Sequence, residues 1–463
     1  NAMKRLAWFT PLPPERSGIA TYSVEVLDSL AEIYDIDIVV DSSPLQLKEE
    51  SGRRISAHDF LWRHQKDPYD LIVYQLGNAT CHDYIWPYMF RYPGLVVLHD
   101  GQLHQARARL LFQQKRYDDY RAEFEYNHPD AKCDIAYLGI SGFLGSLNYF
   151  WPMLRTVVNS AKVLALHNMT LVQDLKEQFP TACIERIRMG VSDNSVTRSK
   201  EDLRAKHNIS KEAVVFAAFG RITPEKRISQ AFRALAATSR LIPHVHLLLV
   251  GESAPYYDAV EEARRLGVAD RVTFTGFVSN SDLDAYMSCV DVCLCMRWPS
   301  SGETSASWLR CLASGRATIV TDLHHTLDLP ALVTRGTWTL SVGSDTSISQ
   351  ENISKLGTNM QSKTPLCVSI DIMDEEHSLQ VAMYRLARDA KLRQELGKQA
   401  RAFWAAHHTL KCMQTDYQRV IDLAINNSQL VKAPLAHLQS DGCDTTRQIL
   451  KEMGTTVDIL DEL

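Results

Sequence analysis

VVFAAFGRITPEKRISQAFRALAATSRLIPHVHLLLV, residues 214–250, decides the fold. Two apolar runs, Val214–Phe219 and Val245–Val250, flank a turn at Gly220 and a helical stretch from Glu225 to Ala237. Runs without polar alternation suit strands buried on both faces. Strand, helix and strand in that order join parallel neighbours through a crossover. Downstream the pattern continues with helix Tyr257–Leu266, strand Val272–Thr275, helix Asn280–Ser288, strand Val290–Cys295, helix Glu303–Ala313 and strand Thr318–Thr321.

Upstream it recurs. Lys4–Pro11, Tyr34–Val40, Leu71–Gln75, Leu95–Leu98 and Lys162–Ala165 read as strands, with a shorter one near Ile184–Ile187. Helices are expected over Ser17–Ala31, with Ser17 as its cap, and from Thr170. Gly101–Ser160 is a longer, mostly helical insertion rich in Tyr, Phe and Arg. Composition turns polar over Asp193–Ser210, which marks a boundary between two doubly wound α/β halves. Residues 341–365 are rich in Ser, Thr, Asn and Gln and read as a solvated loop, before helical spacing returns over Glu376–Asn426.

A chain of 463 residues is too long for one compact core, in keeping with two domains. The net charge of −5 speaks against general nucleic-acid binding, which asks for a basic face. Ten scattered cysteines, among them Cys289, Cys293, Cys295 and Cys311 in apolar segments, read as reduced, packed thiols without a disulfide framework. Apolar runs such as Val245–Val250 are too short to cross a bilayer, and no export signal stands at the N-terminus, so the cytoplasm is the expected compartment.

Ligands of open α/β sheets sit beyond the carboxyl ends of the strands. There, Phe219-Gly220-Arg221-Ile222-Thr223-Pro224-Glu225-Lys226-Arg227 places a guanidinium and an ammonium beside a glycine, a pair suited to a diphosphate, although a solvated helix start uses the same residue types. Arg297-Trp298-Pro299-Ser300-Ser301-Gly302-Glu303-Thr304-Ser305 leads into a helix whose free N–H groups favour an anion. Glu303 is either a sugar-hydroxyl contact there or a first-turn residue favoured by the helix dipole. In the first half, His99-Asp100, Gln75-Leu76-Gly77-Asn78 with His82, and His167-Asn168 end strands, with Asn168 equally suited to capping. His99, Asp100 and His104 could form a metal site, but no further ligand is evident. Asp35 and Asp37 read as structural residues within a strand.

These segments resemble the retaining nucleotide-sugar glycosyltransferases of family four. Pro11–Ala20 looks like that family's glycine-containing loop, Gly276–Asn280 like its base-contacting turn, and Ala313–Thr318 like the segment leading to the next strand. The resemblance spans nearly the whole chain. It implies the α/β GT-B fold: two facing Rossmann-like domains with parallel sheets, residues 4–195 on the acceptor side and 205–399 binding the donor. A helix over 400–426 would cross back to the first domain, with 427–463 as a tail.

It further implies retaining, metal-independent transfer, with no cofactor besides the nucleotide-sugar co-substrate. Glu303 and His99 would be catalytic. Arg221, Lys226, Thr304 and Ser305 would hold the diphosphate, and Gly251, Phe277 and Val278 the nucleotide. Gly18 and Asn78 would line the cleft. The acceptor stays unidentified, with a lipid-linked molecule or a growing glycan as candidates and at most peripheral membrane contact. One position departs from the family: its second glutamate, which grips the ribose, falls at Cys311 or Arg310, and neither is acidic. An epimerase, or a non-catalytic sugar-nucleotide-binding protein, would use the same fold.

Overall fold

The computed structural model describes residues 3–41, 53–132, 134–193, 200–326, 329–333, 364–429, 431, 434–440 and 443–456. They form two compact units. One comprises Asn1–Met189, Ser301–Thr304 and Leu410–Leu463, the other Gly190–Ser300 and Ser305–Thr409.

In the first unit β1 (Arg5–Phe9), β2 (Asp35–Val40), β3 (Arg53–Ser56), β4 (Leu71–Leu76), β5 (Leu95–Leu98), β6 (Val163–Leu166) and β7 (Ile184–Arg186) form one sheet in the order β3-β2-β1-β4-β5-β6-β7. Every pairing is parallel, with Trp8 opposite Ile38 on one side and Val73 on the other. Strands β4, β5 and β6 are buried at every position, so their sequences carry no polar alternation. One face packs Phe9, Tyr74, Phe60, Trp86 and Phe90 into a single core. On the other, the C-terminal helix Leu410–Asn426 lies against β4, β6 and helix Gly18–Leu30. Met413, Tyr417, Val420, Ile421 and Ala424 form its buried stripe at helical spacing. Tyr417 meets Trp8 with ring centroids 5.4 Å apart.

The second unit repeats the plan. β8 (Val214–Phe219), β9 (Val245–Val250), β10 (Val272–Phe274), β11 (Val292–Cys295), β12 (Ala317–Asp322), β13 (Ala331–Val333) and β14 (Cys367–Asp371) run parallel in the order β10-β9-β8-β11-β12-β14-β13. Helices Ile228–Leu241 and Glu375–Arg388 share its core through Phe232, Leu235, Leu379 and Met383.

Several expectations shift. The helix expected from Glu225 begins at Ile228, after a 3-10 turn at Pro224–Lys226. Arg227 separates the two with a left-handed backbone (φ 59°), held by a two-pronged guanidinium pair to Glu375 with one prong at 2.7 Å. The helix expected from Glu303 begins only at Ala306, where Ser305 accepts a hydrogen bond from the Trp308 amide at 3.2 Å. Strands β3, β13 and β14 were not legible. Arg53-Arg54-Ile55-Ser56 is too polar to read as a buried strand, and the other two edge a polar stretch. The loop expected over 341–365 lies outside the described residues except for its last two. Beyond Asn427, Leu438 is buried in the first unit's core beside Leu435.

Candidate donor and acceptor sites

The carboxyl ends of β8 and β9 are laced together. Gly220 turns there with φ 82°, and Gly251 with φ 151°. A Cβ on Gly251 would fall 2.1 Å from the Gly220 carbonyl oxygen, so the two loops can meet only through glycine. The Ile222 amide donates to Glu252 O at 2.9 Å, and Ala254 returns a bond to Ile222 O at 2.9 Å. Gly276 bridges Gly251, which brings the turn with Phe277 and Val278 alongside, and Phe277 is exposed.

Lys226 folds back over this turn and donates to Phe219 O. Its Nζ would lie 2.9 Å from a Cβ on Gly220, with Ser307 Oγ at 3.5 Å. Burial of the ammonium, helped by Arg297, pushes its pKa down to about 7, against a smaller pull from Cys295 and Cys311. Arg221, next after Gly220 in the chain, is exposed and makes no ion pair among the described residues. The loop after β11 is tied to the same turn, because Trp298 N donates to Glu225 O at 2.8 Å. Gly220, Arg221, Lys226, Gly251, Ser305, Phe277 and Val278 thus belong to the second unit.

Glu303 and Thr304 group with the first unit. Glu303 precedes its helix by three residues, so the first-turn role does not apply. Its carboxylate accepts from Ser301 N at 2.9 Å and Ser301 Oγ at 3.0 Å, which fixes its orientation.

Position 311 does not offer a carboxylate. The Cys311 thiol is buried, and burial, helped by Cys293 and Cys295, raises its pKa well above the usual value. Arg310 is buried too and lies 3.8 Å from Asp284.

In the first unit, His99 ends β5 with both ring nitrogens engaged. Nε2 lies 2.7 Å from Gln75 Oε1, and Nδ1 lies 3.3 Å from His167 Nε2. His167 Nδ1 is 2.8 Å from Ile187 O, and the Tyr22 ring meets the edges of both imidazoles. Gln75 extends the chain by donating to Tyr417 Oη at 3.0 Å. Burial, reinforced by His167 and His82, drives the pKa of His99 well below its usual value. Tyr22 and Tyr417 were not among the expected site residues. Tyr417 arrives from the far end of the chain, and no local motif announces it.

Asn78 faces inward. Its amide nitrogen donates to Gln102 O at 2.6 Å, its Oδ1 accepts from Ala106 N at 3.2 Å, and its backbone amide donates to Asp100 Oδ2 at 3.0 Å. It clamps the loop rather than presenting a side chain to a ligand. Gly18 has open space where a Cβ would stand. Asn168 caps the helix Met169–Gln178 by accepting from Leu171 N at 3.1 Å. His104, one residue of the metal alternative, spends Nδ1 on Trp151 O at 2.7 Å and Nε2 on Tyr120 Oη at 2.8 Å. Asp37 is structural, held by Tyr69 at 2.6 Å and Arg53 at 2.5 Å.

Comparison with known proteins points the same way. Residues 199–324 match the family described as glycosyl transferases group 1. A GDP-mannose-dependent alpha-(1-6)-phosphatidylinositol monomannoside mannosyltransferase of Mycolicibacterium smegmatis is 27% identical over 144 residues, which is 30% of this chain. The match spans only 37% of that enzyme's length. Sucrose-phosphate synthase from Thermosynechococcus elongatus superposes with a TM-score of 0.60 at 16% identity, over 91% of this chain and 98% of its own. Anabaena HepE in complex with UDP gives a TM-score of 0.57 at 15% identity, over 91% of this chain and 100% of its own. Residues 199–324 are a glycosyl transferases group 1 domain, carried in a protein of GT-B fold.

Proposed function

We propose that the chain transfers a sugar from a nucleotide-sugar donor to an acceptor with retention of configuration and without a metal ion. The observation that carries this reading is the Gly220 turn within the matched group 1 domain, where Lys226 folds back onto the glycine and the exposed Arg221 follows it in the chain. In the reaction, Arg221 and Lys226 would take the charge that grows on the departing nucleoside diphosphate, with Thr304 and Ser305 adding hydroxyl and amide donors. Glu303, its carboxylate oriented by Ser301, would hold donor-sugar hydroxyls. His99 would form a fixed wall at the sugar, its ring held between Gln75 and His167. Gly251, Phe277 and Val278 would receive the base. With Cys311 lacking a carboxylate, ribose recognition would fall to other groups of that turn.

The acceptor class we favour is lipid-linked, with a growing glycan as the alternative and membrane contact that is peripheral. Among the described residues no helix is long and apolar enough to cross a membrane. The buried thiols Cys293, Cys311 and Cys367 suit a reducing compartment, which supports the cytoplasm.

A panel of nucleotide sugars, assayed for released nucleoside diphosphate with and without excess chelator, tests the reading. Turnover of one donor in chelator, with the product anomer retained by NMR, is the expected result. A donor converted to its epimer would replace transfer with epimerisation. Binding of a donor without turnover on any acceptor offered would favour a sugar-nucleotide-binding protein, the reading that the thiol at position 311 would then support. Loss of turnover in chelator, restored by manganese or magnesium, would overturn the metal-free mechanism.

A further inference from the structure

Between Asp134 and Arg155 the chain runs for 20 residues, Ile135–Leu154, without one Asp, Glu, Lys, Arg or His. In a soluble fold such a stretch belongs in the core. Here it is instead cut into short pieces on the surface of the first unit: helix Asp134–Leu138, a wide turn over Gly139–Phe143, and helix Leu147–Phe150. Gly142 (φ 89°) and Gly145 (φ 41°) supply the breaks. The underside is anchored. Ala136 and Met153 pack with Tyr120 and Phe124, and Ile140, Leu144 and Trp151 lean on the same cluster. Trp151 O is held by His104 and the Met153 amide by His128.

Other large side chains of the segment are open. Tyr137 is 64% exposed, Phe143 70% and Phe150 75%, with Leu138 also open. Four large apolar side chains on one short uncharged segment is not the ordinary scatter of surface hydrophobics.

We propose that this segment is a membrane-docking surface that seats in the headgroup–acyl boundary of a lipid bilayer. Tyr and Phe on a broken, glycine-hinged ridge suit that boundary, where apolar bodies sink and polar ends stay wet. Lys115, Arg116 and Arg121 lie with Asp118 and Asp119 around Ile140, where Arg116 pairs with Asp119 at 2.6 Å and Arg121 stands 3.8 Å from Asp118, so the set keeps one cation in excess, Lys115. Lys115 forms no ion pair among the described residues, which leaves it to meet a phosphate headgroup. A second copy of the chain fits less well. Aromatic side chains offer about 150–250 Å² each, so three of them at two-thirds exposure present roughly 300–500 Å². A stable protein interface takes about 800 Å² per partner. A bilayer sets no such threshold.

This surface rests on the reading of peripheral membrane contact given above and is tested apart from the transfer reaction. The purified chain is sedimented with vesicles of phosphatidylcholine and phosphatidylglycerol (3:1), beside a Phe143→Ser/Phe150→Ser double variant. Both side chains are exposed, so the variant should keep the wild-type melting temperature and nucleoside-diphosphate affinity. The expected result is vesicle binding by the wild type that falls at least tenfold in the variant, with both proteins monomeric in analytical ultracentrifugation. Equal partitioning of both proteins, or no binding by the wild type, overturns the proposal. A wild-type dimer that the double substitution dissociates overturns it as well, and assigns the patch to self-association. Failure of the donor assay would leave this result untouched.

Discussion

The hydroxyl of Tyr417 lies 2.5 Å from that of Tyr22, across 395 residues of sequence, and the same oxygen accepts from the Gln75 amide at 3.0 Å. Three elements of the first unit, helix Gly18–Leu30, strand β4 and helix Leu410–Asn426, therefore meet at one buried oxygen. Gln75 in turn holds His99, so the C-terminal helix sets the strand end at which His99 stands.

Tyr417→Phe removes that oxygen and leaves a buried amide and a buried hydroxyl short of a partner. A buried group left unsatisfied costs about 1–3 kcal/mol, so urea unfolding of the variant should show a loss of that size. Tyr22→Phe should cost less, because Gln75 keeps its acceptor. Equal stability of Tyr417→Phe and wild type would show that water replaces the hydroxyl.

Arg107 and Glu123 form a buried pair on the helical insertion, joined by His437 at 2.9 Å from the C-terminal stretch. Burial alone would raise the Glu123 pKa, but Arg107 outweighs it, with His437 adding to the effect, and brings it down to about 2. A depressed carboxylate contributes stability above its unfolded value of about 4.5 and loses it as pH falls through its folded value. Glu123→Gln strands Arg107 and should cost about 3–5 kcal/mol at pH 7. Between pH 4.5 and 2 the gap between wild type and variant should narrow. A gap that stays constant over that range would show that Glu123 does not titrate there.

Much of this architecture could be read from the chain itself. Strands β1, β4, β5, β8, β9 and β11 announced themselves because strands buried on both faces leave continuous apolar runs. Edge strand β3 did not, since an edge tolerates Arg53, Arg54 and Ser56. Residue type proposed Asn78 as a cleft residue, yet its bonds to Gln102 and Ala106 turn it inward, and neither partner lies near it in sequence. Glu303 was visible as a charged residue beside small ones. Its place three residues before the helix depended on which of Thr304 and Ser305 became the cap, and residue type does not separate them.

Gly220→Ala tests the turn. The left-handed backbone costs an L residue roughly 1–2 kcal/mol, and the new methyl reaches the space near Lys226 Nζ. Because Nζ ends a flexible stem, the side chain can swing aside, so the fold should survive with a stability loss of about that size. The ammonium would then stand off the diphosphate position, and nucleoside-diphosphate affinity measured by calorimetry should fall about tenfold or more, near 1.4 kcal/mol. Unchanged affinity would remove the turn from the donor site.

Lys226 gives the last prediction its sign. An ordinary lysine titrates near 10.4, whereas burial brings this one to about 7. A lowered ammonium pKa means that the fold favours the neutral amine, so below about 7 the protein carries a buried charge it would rather lose. A bound diphosphate reverses the preference by pairing with the ammonium. Binding must then draw a proton from solvent whenever the pH lies above about 7. Affinity should decline as pH rises from 7 to 9, and calorimetry at pH 8 in buffers of different ionisation heat should record an uptake of nearly one proton. Lys226→Ala should weaken binding at pH 7 and abolish the uptake, while Arg221→Ala should weaken binding and leave the uptake in place, since Arg stays charged throughout this range. If wild type and Lys226→Ala took up the same number of protons, the group that titrates on binding would not be Lys226.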